Sequence, residues 1–143
     1  MDPQKCRRII MNNMGSMESG FLPPVSGRAV LEQVDFKKAG GLVPAVVQAS
    51  DTGMVLMLAW VSPQALEESF ATGYAHYFSR SRNCLWKKGE TSGNQQRIRE
   101  ILLDCDGDTL LYIVDQKGPA CHTGTKSCFF RTFGQDRNET GFR

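Results

Sequence analysis

Two apolar runs, LVPAVVQ (Leu42 to Gln48) and VLMLAWV (Val55 to Val61), flank the turn-forming Asp51-Thr52-Gly53. Runs of this length, rich in β-branched residues and separated by a Gly-containing turn, pair as a β-hairpin. A lone hairpin is marginal in water, so the rest of the chain must supply strands or a helix to cover its apolar face. The length of 143 residues suits one domain that buries about 70% of its unfolded surface. Hydrophobic residues at 41% and charged residues at 22% are near globular averages, and no apolar run approaches the roughly 18 residues of a membrane span. A soluble, cytoplasmic protein with no membrane partner is expected.

Around the hairpin the signals are short. Ser62-Pro63 reads as an N-cap and first helical residue, PQALEESFAT places Leu66 and Phe70 on one face, and Gly73 ends the helix. Tyr74 to Ser79 reads as a third strand, and SRSRNCLWKKGETSGN as a long surface loop. Gln96 to Asp104 and Thr109 to Gln116 read as two strands joined across Asp106-Gly107, and ACHTGTKSCFF as a loop running into a short Phe-rich strand. The fold class is therefore α+β, a compact strand-rich domain with few short helices. Residues 1–33, with Met1, Met11, Met14 and Met17 among Asn, Gly, Ser and Pro, read as a flexible extension lacking the apolar core of a secretory signal. Residues 34–131 form the domain and 132–143 a tail.

Chemistry concentrates in three places. In DCDGD (Asp104 to Asp108), extended backbone would point Asp104 and Asp106 one way and Cys105 the other, with Asp108 across the turn. Carboxylates suit Mg²⁺ or Ca²⁺ and thiolate suits Zn²⁺; the plain alternative is an exposed acidic turn. An EF-hand is excluded, because Gly107 stands at loop position four and Asp115, not Glu, at position twelve. The odd count of five cysteines opposes a disulfide framework and favours reduced thiols. Cys6 falls in the extension and Cys84 has no partner motif. Six residues intervene between Cys121 and Cys128, wider than a structural zinc knuckle. With Cys105 they make three ligands, which would leave a fourth position for water. His122 beside Cys121 is the first acid-base candidate, imidazole being the side chain suited to proton exchange near neutrality. His76 is second and equally fits a half-buried strand residue. Arg80, Arg82 and Lys88, with Glu90, Thr91, Ser92, Gly93 and Asn94, offer basic groups, hydroxyls and backbone N–H groups for a small phosphorylated ligand.

Taken together, GLVPAVVQ, VLMLAW, HYFSRSRNCLWKKGETSGN, DCDGD and GPACHTGTKSCFF resemble the successive blocks of the phosphoribosyl-AMP cyclohydrolases of histidine biosynthesis, over Val34 to Arg131. The resemblance implies hydrolytic opening of the adenine ring of 1-(5-phosphoribosyl)-AMP at the N1–C6 bond by a zinc-activated water. It implies an intertwined homodimer with a bent, barrel-like antiparallel sheet. It also implies one Zn²⁺ per subunit on Cys105 of one chain and Cys121 and Cys128 of the other, and Mg²⁺ on Asp104, Asp106 and Asp108. Some relatives carry a fused pyrophosphohydrolase domain; with the chain ending near Arg143, that second activity is not expected.

Two other functions were weighed. A zinc nucleobase deaminase would need H-x-E and P-C-x-x-C, but His76 is followed by Tyr77 and Phe78 and C-x-x-C does not occur. A zinc-stabilised RNA-binding module could use the SRSR tract with Tyr74, Tyr77 and Phe78, but a net charge of +2 without a basic stripe argues against a nucleic-acid partner.

Overall fold

A computed structural model describes residues 27–134; the expectations for residues 1–26, Cys6 and residues 135–143 fall outside them. The hairpin forms as β1 (Val43–Ala49) and β2 (Val55–Val61), paired antiparallel with Val43 opposite Val61. Along β1, Val43, Ala45, Val47 and Ala49 are buried and the residues between them half-buried, the period of two that pins register. After β2, Ser62 caps the helix α2 (Pro63–Thr72), its Oγ accepting the Ala65 N–H at 3.1 Å. Gly73 closes it at φ 81° and donates to Ser69 O at 2.9 Å, a left-handed position that favours glycine. Ala65, Leu66, Ser69 and Phe70 form the buried face of α2.

The remaining strands are β3 (His76–Ser79), β4 (Cys84–Lys87), β5 (Gln96–Leu103) and β6 (Leu110–Gln116). All six make one curled sheet in the order β4-β3-β2-β1-β6-β5. The expected strand-rich α+β architecture holds, with three corrections to its parts. First, the sheet is mixed: β6 lies parallel to β1, Ala45 opposite Leu110 and Val47 opposite Tyr112. Alternation specifies which face a residue occupies but not strand direction, so this pairing was invisible beforehand. Second, the stretch read as one surface loop contains β4, which pairs with β3 from His76 opposite Lys87 to Ser79 opposite Cys84. Its turn passes through Asn83 at φ 52°, a left-handed conformation that Asn tolerates. Third, no Phe-rich strand follows Cys128 among the described residues. A single backbone bond, Cys128 N–H to Leu56 O at 2.7 Å, docks that segment on β2.

Residues 27–33, read above as the end of an extension, form the helix α1 (Gly27–Gln33), whose Val30 and Leu31 pack on the core beside α2. Under the sheet runs a buried polar chain. Tyr77 Oη donates to Gln96 Oε1 at 2.5 Å, Gln96 Nε2 donates to Gln116 Oε1 at 2.7 Å, and Gln116 Nε2 reaches Asn94 O at 3.3 Å. Such a fully paired network holds its members in register, and it fixes the loop of residues 88–95 against the ends of β5 and β6. Among the described residues no helix is long and apolar enough to cross a membrane.

Candidate active site

The DCDGD residues lie in the turn between β5 and β6 rather than in the strands. Asp104 Oδ1 accepts the N–H groups of Asp108 at 3.0 Å and Thr109 at 3.3 Å, and Gly107 N–H returns to Asp104 O at 3.1 Å. Gly107 adopts φ 74° and a Cβ there would stand 3.1 Å from Gln33 O, so glycine admits both the turn and the close approach of the chain leaving α1. Asp35 N–H donates to Gly107 O at 2.7 Å and braces it. The outcome is that one carboxylate oxygen each from Asp104, Asp106 and Asp108 lies within 4.8 Å of the others. The carboxylates do gather, but through turn hydrogen bonds and not through strand alternation.

Three carboxylates this close repel one another, and Lys38 relieves part of the repulsion. Its Nζ lies 2.9 Å from Asp108 Oδ2. That bond holds the Asp108 carboxyl below its usual range and raises the lysine in turn. The donors are all hard oxygens, half-buried or exposed, so the set fits a magnesium-like cation.

The thiols are arranged differently. Residues 120–126 form a small closed loop: Ala120 N–H to Lys126 O at 3.1 Å, Cys121 N–H to Thr125 O at 3.2 Å, Gly124 N–H to Cys121 O at 3.0 Å. Thr123 Oγ1 donates to Cys121 Sγ at 3.0 Å. That hydroxyl, the Thr123 N–H, the Thr125 hydroxyl and the Cys128 thiol together pull the Cys121 thiol down to about 6. Partial burial and the Cys121 sulfur push the Cys128 thiol up. Both are free, as are Cys84 and Cys105. Two soft donors therefore stand together, which fits zinc. Cys105, exposed on the β5–β6 turn, does not join them: among the described residues the three carboxylates are the only cluster of three or more potential ligand groups. His122 is exposed beside Cys121.

His76 is buried. Its N–H donates to Ser69 Oγ at 2.9 Å, and its Nδ1 lies 2.9 Å from Tyr74 O. A carbonyl only accepts, so Nδ1 carries the proton in the neutral ring. Burial lowers the His76 pKa. Arg80 and Arg82 line an open cleft of about 620 Å³ with Ser79, Ser81, Trp60, Phe78 and Trp86, the Arg80 guanidinium 4.4 Å from the Trp60 ring centre. In the loop that follows, the N–H groups of Glu90, Gly93, Asn94 and Gln95 are spent on Lys87 O, Gly89 O, Ser92 Oγ and Gly93 O. This leaves the exposed Glu90, Thr91 and Ser92 side chains as its outward polar face. Gly89 makes the fold of this loop possible, since a Cβ there would lie 2.5 Å from Asn94 backbone. Lys88 turns from the loop to donate to Ala120 O at 2.5 Å.

Sequence reasoning missed Thr123, Lys38, Trp60 and Trp86. A hydroxyl two residues after a cysteine was a readable signal for Thr123. Nothing local pointed to Lys38, 70 residues before its partner Asp108.

A family model described as phosphoribosyl-AMP cyclohydrolase matches residues 57–130. The chain is 66% identical over 92 residues to the phosphoribosyl-AMP cyclohydrolase of Haloquadratum walsbyi, covering 64% of this chain and 70% of that protein. It is 60% identical over 100 residues to that of Granulibacter bethesdensis, covering 70% and 78%. With that of Acidiphilium cryptum it shares 55% over 107 residues, covering 75% and 91%.

Proposed function

The chain belongs to the phosphoribosyl-AMP cyclohydrolase family, and from that premise we propose that it opens the purine ring of 1-(5-phosphoribosyl)-AMP by hydrolysis, in histidine biosynthesis. The observation that carries the reading is the separation of donor types: three gathered carboxylates at one hairpin end, and two free thiols, one held by the Thr123 hydroxyl, on another loop.

In this reading Cys121 and Cys128 of one copy and Cys105 of a second hold zinc, and Asp104, Asp106 and Asp108 hold magnesium. The exposed apolar side chains Met54, Val55, Leu58, Phe129 and Phe130 supply the surface on which the second copy would sit, since an apolar patch of this kind marks an interaction face. Zinc, when bound, would supply Lewis acidity and an acidified water. The remaining work belongs to the chain. Alkylation at N1 gives the ring cationic character, so C6 accepts the water oxygen. The N1–C6 bond then breaks, C6 keeps its amino group as a carboxamide, and N1 leaves as the nitrogen of an open amidine. His122, exposed beside Cys121, moves the proton from the attacking water toward N1. Arg80 and Arg82, with the hydroxyls of Ser79 and Ser81 in the aromatic cleft, take up a phosphoryl group, and Thr91 and Ser92 present hydroxyls to the second.

The test follows the ultraviolet change of ring opening with purified protein. Turnover should vanish with a zinc chelator and return on adding zinc. Unchanged turnover in demonstrably zinc-free protein would refute the zinc reading; no turnover in metal-replete protein would refute the activity.

A further inference from the structure

Lys88 was expected to meet phosphate, yet its ammonium is committed elsewhere. The residue follows β4 directly, and its N–H donates to Ala75 O at 3.0 Å, so its backbone prolongs the β3–β4 pairing. From this fixed root the side chain crosses to the loop that carries both thiols, where Nζ donates to Ala120 O at 2.5 Å. Ala120 is 2% exposed and immediately precedes Cys121. One side chain thus fixes the backbone beside Cys121 and sets a positive charge at the residue that precedes it.

The chemistry of the proposed centre makes that placement useful. Three thiolates around a dication leave one excess negative charge, which a nearby fixed cation offsets. Groups that orient metal ligands from behind typically change metal affinity by about 10- to 100-fold when they are mutated. We propose that Lys88 is a positioning residue of the thiol pair, its ammonium clamping the Ala120 carbonyl and setting a fixed positive charge beside the thiol loop, and that it is not a phosphate ligand. The inference rests on the zinc reading above.

The test uses the full chain with Lys88→Met, Lys88→Arg and, as a control from the same loop, Lys126→Met. Zinc affinity is measured by competition with a chromophoric chelator, and kcat and KM are measured at saturating zinc. Lys88→Met should lose roughly 10- to 100-fold in zinc affinity and lower kcat with little change in KM. Lys88→Arg should recover part of both, and Lys126→Met neither lose nor gain. Wild-type zinc affinity in Lys88→Met, with a raised KM, would overturn the proposal and return Lys88 to the phosphate. Should Lys88→Met fail to fold, Lys88→Gln keeps a donor for Ala120 while removing the charge, and an unaltered zinc affinity there would equally overturn the charge role. A wild-type chain that binds no zinc would instead sink the functional reading itself.

Discussion

Asp104, Asp106 and Asp108 come from one turn, and their oxygens gather within 4.8 Å of one another inside a single chain. The thiols are divided between that same turn and the separate loop of Cys121 and Cys128, and no three of them meet among the described residues. A turn can assemble hard donors through its own N–H groups, as Asp104 does for Asp108 and Thr109. Soft donors drawn from distant segments need either tertiary closure or another copy of the chain. Here the thiol loop is closed on itself and docked on β2 by the Cys128 and Ser127 bonds to Leu56 and Val55. The apolar side chains around it, Phe129 at 63% and Phe130 at 51% exposed, are left open. That difference supports the proposal that the carboxylate site belongs to one chain and the thiol site to two.

The sharpest way to break the comparison is at the sulfurs. Cys105→Ala, Cys121→Ala and Cys128→Ala should each abolish zinc binding and turnover, while Cys84→Ala retains both; zinc content by elemental analysis beside the ring-opening rate checks this. An active, zinc-free Cys121→Ala protein would show that the thiols are bystanders. A smaller effect is expected at the carboxylates. Asp106→Asn should leave zinc content untouched and weaken the magnesium dependence of turnover by about tenfold or more, the scale of changes around metal ligands. An unchanged magnesium titration would remove Asp106 from that role.

The smallest effect concerns the histidine set inside the sheet rather than at either cluster. Because burial lowers the His76 pKa, the unfolded chain takes up this proton first as pH falls through about 6.5. Stability contributed by neutral His76 is therefore present above that pH and lost on acidification toward the folded pKa. His76→Gln should flatten this loss, read as the shift of the urea midpoint between pH 7.5 and 5.5. An identical shift in both proteins would mean that His76 stays solvated.

What could be read in advance divides along the same line between local and distant. The β1–β2 hairpin, the capped α2 and the β5–β6 pair each announce themselves within one local stretch of sequence, through alternation, Ser62-Pro63, Gly73 and Asp106-Gly107. β4 was hidden because Cys84–Lys87 carries Trp86 and Leu85 among Ser, Arg, Asn and Lys, the composition of a loop. The parallel β1–β6 contact was hidden because period-two patterning carries no direction. At the site, the donor residues were legible as types, and the five sequence blocks together pointed to the family. Their geometry was not: strand alternation gave the wrong cause for the carboxylate cluster. Lys88, chosen for its charge near a phosphate-like loop, points instead at Ala120. Side-chain partners 32 residues apart are decided by packing, which a linear pattern does not contain.

The measurement that bears most directly on a thiol centre built from two copies is a mixing experiment. Cys105→Ala and Cys128→Ala proteins, each inactive alone, are combined and allowed to exchange subunits, with exchange verified by mass-labelled chains. Heterodimers then hold one intact Cys105, Cys121 and Cys128 set out of two, so an equal mixture should recover about a quarter of wild-type turnover together with a matching share of zinc. Verified exchange without any recovery of zinc or turnover would contradict a shared centre and with it the account of this site.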